Sequence, residues 1–168
     1  HFSNWEMMML GIQRLVGETG SLYRRANNPY MEAWVIKQRG SFMPQQIKKG
    51  RSGARTMIEL LQNKTSLAVL IDQKLGRGDP IEFFGRPTKA PSASVKLARR
   101  FEIPIIPTVI SRREDGPDSV HFVQKFFPAI HVAKTDNMQA DIDAAMRQMY
   151  DLLEQWITER PEEWFWQH

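Results

Sequence analysis

Apolar residues recur at helical spacing from residue 4 to residue 16. Trp5, Met8, Met9, Ile12, Leu15 and Val16 fall on one broad face, which predicts an amphipathic helix closed by Gly17 and Gly20. Ser21-Leu22-Tyr23-Arg24 reads as a short strand. Asn28-Pro29 is an N-cap followed by proline at the first helical position, so a helix is expected from Pro29 to Gln38, with Gly40 as its stop. Phe42-Met43-Pro44 is a brief extended piece, and a helix follows from Ala54 to Gln62 with Met57, Ile58 and Leu61 inward. Leu67-Ala68-Val69-Leu70-Ile71 is a continuous apolar run and predicts a buried central strand. Beyond it lie a glycine-bearing loop, a short strand from Ile81 to Phe84 and a helix from Ser92 to Phe101. A second buried strand runs from Ile105 to Ile110. A turn at Asp115-Gly116-Pro117-Asp118 leads into a returning strand, Val120 to Phe126. The longest helix, Asn137 to Glu159, carries an apolar stripe that includes Ile142, Met146, Met149, Leu153 and Ile157. Helices alternating with strands, plus one hairpin, predict an α/β fold in which helices flank a mixed β-sheet.

Composition narrows the class. With 168 residues, 42% hydrophobic and 25% charged, the chain suits one globular domain spanning 1–168. The absence of cysteine excludes disulfides, thiolate metal sites and a cysteine nucleophile. A net charge of +4 and a pI near 9.5 suit phosphate, an anionic lipid surface or an acidic partner protein. No nucleic-acid motif is present, so no nucleic-acid partner is expected. No apolar run reaches 18 residues, so no membrane span is expected in this stretch. The motifs of zinc hydrolases, phosphate-loop nucleotide hydrolases and serine hydrolases are missing, and neither metal nor cofactor is expected.

The candidate chemistry begins at His1-Phe2-Ser3-Asn4-Trp5-Glu6. Imidazole titrates near neutral pH, and a carboxylate on its far nitrogen fixes the tautomer and stabilises the imidazolium. Five helical residues turn through about 500°, so the two side chains cannot face each other on one straight helix. The pair requires His1 on a loop and Glu6 in the first helical turn, with Ser3 or Asn4 as cap. Taken alone, a histidine before a helix and a glutamate favoured by the helix dipole is the simpler reading.

Ligands of open α/β sheets bind at the carboxyl ends of the strands. Tyr23-Arg24-Arg25 and Asp72-Gln73-Lys74-Leu75-Gly76-Arg77-Gly78 fall there. Arg24 and Arg77 are the favoured phosphate ligands, each following a strand that points toward the site, whereas Arg25 and Lys74 read as surface residues. In Phe83-Phe84-Gly85-Arg86-Pro87 one ring could line an acyl channel while Arg86 approaches a head group. Two rings packed on either side of a strand fit equally well. His121 and His131 lack metal-ligand spacing and read as structural or exposed.

Set in order, these elements form a pattern: His1-x4-Glu6, Leu22-Tyr23-Arg24 with Asn27-Asn28-Pro29, Asp72-Gln73 with Gly76, Phe83-Phe84-Gly85-Arg86-Pro87, Leu97-Ala98-Arg99-Arg100, Ile106-Pro107, and Pro161-Glu162-x-Trp164-x-Trp166-x-His168. The pattern resembles the bacterial lipid A biosynthesis acyltransferases, the late lauroyl and myristoyl enzymes, over essentially the whole chain. The His-x4-Glu motif is shared with the wider glycerolphosphate and lysophospholipid acyltransferases. The Trp-x-Trp-x-His ending is much more specific.

The resemblance implies a glycerolphosphate-acyltransferase-like αβα sandwich. It also implies transfer of a fatty acyl group from acyl carrier protein to a hydroxyl of a phosphorylated, already acylated glucosamine disaccharide. By analogy His1 is the general base and Glu6 its orienting partner, with direct attack on the thioester and no acyl-enzyme. Arg24 and Arg77 match positions that would hold phosphate or stabilise an oxyanion. Asp72 and Gln73 match an acidic-polar pair of structural or acceptor-binding role. The resemblance places the enzyme at the cytoplasmic face of the bacterial inner membrane. Family members carry an upstream membrane-anchoring segment and usually continue with basic residues past the position of His168, so the chain is read as a piece truncated at both ends. Two rival readings remain: the same chemistry on another phospholipid or glycolipid, and a non-catalytic membrane-surface module.

Overall fold

The structure is a computed structural model. It describes residues 2–73, 75–115 and 120–165. The elements follow in the order α1 (Trp5–Val16), β1 (Thr19–Tyr23), α2 (Pro29–Arg39), β2 (Gln45–Lys48), α3 (Arg51–Gln62), β3 (Ser66–Ala68), β4 (Asp79–Phe83), β5 (Arg86–Ala90), α4 (Ala93–Phe101), β6 (Thr108–Arg112), β7 (Phe122–Phe126), α5 (Met138–Glu159) and a 3-10 turn at Pro161–Glu163. The α/β expectation holds. Parallel and antiparallel strands lie in separate sheets: a three-stranded parallel sheet in the order β2-β1-β3, and the antiparallel pairs β4-β5 and β6-β7. The chain divides into two compact units, one of residues 6–70 and one of residues 1–5 with 71–168.

In the 6–70 unit, β1 is the central strand and most of its residues are buried. It pairs in parallel with both neighbours, Leu22 opposite Ile47 and Gly20 opposite Leu67. Gly20 has no side chain because none would fit: an added Cβ would lie 2.6 Å from Leu60 of α3 and 2.9 Å from Ile47. The apolar run 67–71 was expected to form the central strand. Instead only Ser66–Ala68 pairs, as an edge strand, and residues 67–71 are half-buried. The strand β2 at Gln45–Lys48 was not foreseen, because Gln-Gln-Ile-Lys offers a single inward apolar side chain, Ile47. Helix α2 starts where its cap predicts: the Asn28 side chain accepts from the Tyr30 and Met31 amides, and Pro29 occupies the first turn.

In the other unit, α5 supplies the core. Ile142, Met146, Met149, Leu153 and Ile157 are buried along one stripe, Val95 of α4 joins the same cluster, and Ala98 of α4 is also buried. Across the α4–α5 contact, Arg99 pairs with Asp141 at 2.7 Å and also donates to the Thr135 carbonyl. Three further bonds reach the Asp141 carboxylate, one from Arg99 Nε, one from the Thr135 amide and one from its hydroxyl. Burial opposes its ionisation, yet these bonds hold it below the usual aspartate range. The strand expected over Ile105–Ile110 is displaced: Ile105 forms a single bridge with Ile130, and pairing with β7 begins at Thr108. Among the described residues no helix is long and apolar enough to cross a membrane.

Candidate functional site

Glu6 occupies the first turn of α1, as the His1-x4-Glu6 reading requires. Its Oε1 accepts from Arg39 Nη2 at 2.8 Å, and the two side chains are 38% and 21% exposed. Arg39 is the last residue of α2, so two helices far apart in sequence converge on this carboxylate. That bond engages one of the two carboxylate oxygens. His1 itself lies outside the described residues.

The Leu22-Tyr23-Arg24 and Asn27-Asn28-Pro29 motifs divide into scaffold and chemistry. Tyr23 is buried, and its hydroxyl donates to Glu32 Oε1 at 2.8 Å. Burial, and then the Glu32 carboxylate, push the phenol up to about 12. The other Glu32 oxygen accepts from the Ala26 amide at 2.8 Å, and this bond leads the influences that hold the carboxyl below the usual glutamate range. Glu32 is only 6% exposed, and it fastens the loop after β1 from beneath. Tyr23 is locked inward and Asn28 is spent on the helix cap, whereas Arg24, like Asn27, is exposed. Arg24 stands one residue beyond the carboxyl end of β1, where the sequence places a phosphate ligand.

In the other unit, Asp72 accepts from the Trp164 indole Nε1 at 3.2 Å. This ties the first aromatic residue of the Trp-x-Trp-x-His ending to the Asp-Gln motif. Trp166 and His168 lie outside the described residues. Gln73 is half-buried beside Asp72. Arg77 is exposed in the loop before β4. The glycine next to it has a packing reason of its own: a Cβ at Gly78 would fall 2.4 Å from the Ala90 carbonyl oxygen. The loop is fastened to β5 through Leu75 N to Lys89 O at 3.1 Å. Lys74 lies outside the described residues.

The Phe-Phe-Gly-Arg-Pro motif is a hairpin tip. Phe84 and Gly85 both have positive φ, 49° and 69°, the conformation of a tight hairpin turn. Phe83 faces inward and makes edge contacts with Tyr150 (5.6 Å) and Trp164 (5.9 Å), so its ring belongs to the packed interior. Phe84 is exposed at the tip, and Arg86, opposite Phe83 in the register, is exposed beside it. His121 and His131 are exposed as expected, and His121 pairs with Asp115 at 3.0 Å.

Glu6 and Arg24 therefore belong to one unit, and Asp72, Gln73, Arg77 and Arg86 to the other. Glu32 and Arg39 were not singled out in the sequence. An acidic residue in a first turn and a basic one in a last turn already have a sufficient explanation in the helix dipole. Only the fold shows that each bonds a motif residue.

The chemistry these motifs point to is acyl transfer. A family model described as bacterial lipid A biosynthesis acyltransferase matches residues 1–168, and the chain belongs to that family. It is an acyltransferase of lipid A biosynthesis. No curated protein matches it.

Proposed function

We propose that this acyltransferase moves a fatty acyl chain from acyl carrier protein to a hydroxyl of a phosphorylated, acylated glucosamine lipid. In this reading His1 takes the proton of the acceptor hydroxyl, and Glu6 holds the imidazole in the correct tautomer and balances the imidazolium. The alkoxide oxygen attacks the thioester carbonyl, a tetrahedral oxyanion forms, and the carbon–sulfur bond breaks. The proton held by His1 then passes to the departing thiolate. No covalent acyl-enzyme is formed. The observation that carries the reading is Glu6 itself, placed in the first turn of α1 and held there by a bond from Arg39.

Arg24, Arg77 and Arg86 supply positive charge for phosphate or for the oxyanion, and Asp72 and Gln73 support the acceptor side. The basic balance of the chain suits both an acidic carrier protein and an anionic lipid. The reaction is placed at the cytoplasmic face of the inner membrane. Support comes from α2, which exposes Tyr30 (86%) and Trp34 (57%), with Lys37 one turn further on. Aromatic rings and lysines of this kind favour a lipid headgroup layer.

The test is mass spectrometry of lipid A from a bacterium lacking its own late acyltransferase and carrying the full-length gene. One added acyl chain is expected with the native gene, and none with His1→Ala or Glu6→Gln. Unchanged acylation in both variants would overturn the mechanism. Transfer from acyl-coenzyme A but not from acyl carrier protein would overturn the donor, and acylation of a different lipid would overturn the acceptor.

A further inference from the structure

Two cations leave the parallel sheet of the 6–70 unit at the same end and on the same face. Gly20 faces α3, since its added Cβ would meet Leu60. Strand side chains alternate, so Leu22 shares that face, and Arg24 continues it just past the strand. On β2, Ile47 also reaches the Gly20 position, at 2.9 Å, and it is the partner of Leu22 in the register. Lys49, two residues on, follows Ile47 onto the α3 side. The Lys49 amide donates to the Tyr23 carbonyl at 3.0 Å, which extends the pairing of the two strands by one residue. Neighbouring strands lie about 4.8 Å apart, so the side chains of Arg24 and Lys49 start out side by side.

The opposite face is already committed. Tyr23 and Lys48 share it, and Glu32 lies there, bonded to Tyr23 and attracted by Lys48 and Arg25. Its carboxylate therefore serves a different pair of cations. Arg24 has no carboxylate partner among the described residues.

We infer that Lys49 joins Arg24 in holding a phosphate monoester of the acceptor lipid, at the carboxyl ends of β1 and β2. The inference rests on the proposed reaction and adds a residue that the motifs do not contain. A guanidinium and an ammonium side by side offer a phosphate two charge-assisted donors. The Lys49 ammonium registers its neighbour. It is held below the ordinary lysine value, first by partial desolvation and then by the Arg24 charge. Because Lys49 is exposed on the whole, the Arg24 contribution is the one that bears on binding an anion from solvent. The start of α3 reinforces the pair. It follows Lys49 directly through Gly50, has no acidic residue in its first turn, and receives no side-chain cap. Gly53 shows how tightly that start sits on the strand end, since a Cβ there would lie 1.9 Å from the Lys48 carbonyl oxygen.

The experiment compares full-length native enzyme with Lys49→Gln and Lys49→Arg on a phosphorylated acceptor and on the same acceptor after phosphatase treatment. Losing one charge-assisted bond should raise KM for the phosphorylated acceptor about tenfold to a hundredfold while kcat stays nearly constant. Lys49→Arg should keep most of the affinity, and the dephosphorylated acceptor should not distinguish native from Lys49→Gln. Equal KM values for native and Lys49→Gln on the phosphorylated acceptor would overturn the inference. Equal losses on both acceptors, with weaker binding to phosphatidylglycerol vesicles, would assign Lys49 to membrane headgroups and overturn it as well.

Broadening of the inorganic phosphate 31P resonance by native protein, reduced in Lys49→Gln, is the expected companion result. Equal broadening by both proteins would count against the site. This arm is independent of turnover. If native enzyme acylates neither acceptor, the proposed function fails and the phosphate titration still decides the role of Lys49.

Discussion

Arg39 holds one carboxylate oxygen of Glu6 at 2.8 Å, from the last turn of α2 to the first turn of α1. A carboxylate that must orient an imidazole works only if its own rotamer is held, and a guanidinium beside it restricts that rotamer. Glu6→Gln should lower kcat of the full-length enzyme by about a hundredfold or more, in the range of lost general-base assistance. Arg39→Gln should lower kcat less, by about tenfold, with KM for both substrates nearly constant, because it acts through Glu6. Arg39→Lys should recover part of that loss. A rise in KM with unchanged kcat would assign Arg39 to substrate binding instead.

The Tyr23–Glu32 pair predicts a stability window in pH. The Glu32 pKa is lowered on folding, so its contribution is complete above the unfolded value near 4.5 and disappears as pH falls through the folded value. The Tyr23 pKa is raised, so its contribution is complete below 10 and is lost as pH rises toward about 12. Thermal melting across pH should show both limbs. Glu32→Gln should flatten the acid limb, and Tyr23→Phe the alkaline one. Retention of the full acid limb in Glu32→Gln would refute the assignment.

Trp164→Phe removes the indole donor to Asp72 while keeping most of the apolar contact with Phe83. The expected loss of stability is about 1.5–3 kcal/mol, the usual net worth of a bond to a charged group. Chemical denaturation should show it as a lower midpoint at unchanged slope. A change well below that would show the Asp72–Trp164 bond to be unimportant to the unit.

Gly53→Ala forces a methyl carbon against the Lys48 carbonyl oxygen, where the unrelaxed separation is 1.9 Å. Helix propensity alone would favour alanine by about 1 kcal/mol. The clash should reverse that sign and shift α3 away from β2. Reduced melting temperature is the expected readout, and a stabilised variant would contradict the observed packing.

Helices were the most legible part of the chain. A 3.6-residue apolar stripe needs only its own neighbours to be recognised, and the cap at Asn28 marks one start. Strands were less legible. Residues 67–71 look like a buried centre because they are continuously apolar, yet pairing is a property of two segments, and only 66–68 find a partner. The turn at Phe84-Gly85 concealed β5 for the same reason: Arg-Pro-Thr-Lys-Ala has no apolar alternation of its own and is a strand because β4 lies alongside it.

The sequence by itself determined the reaction family, since an ordered set of short motifs survives without any knowledge of their contacts. It also determined Glu6 in a first helical turn and Arg24 at a strand end, because helix starts and strand ends are written locally. Only the tertiary structure decided what those residues touch. Glu6 meets Arg39 across 33 positions of sequence, Tyr23 spends its hydroxyl on Glu32, and Asp72 meets Trp164 across 92. Such contacts depend on how separate elements pack, and a carboxylate reads the same in a sequence whether it faces water, an arginine or an indole.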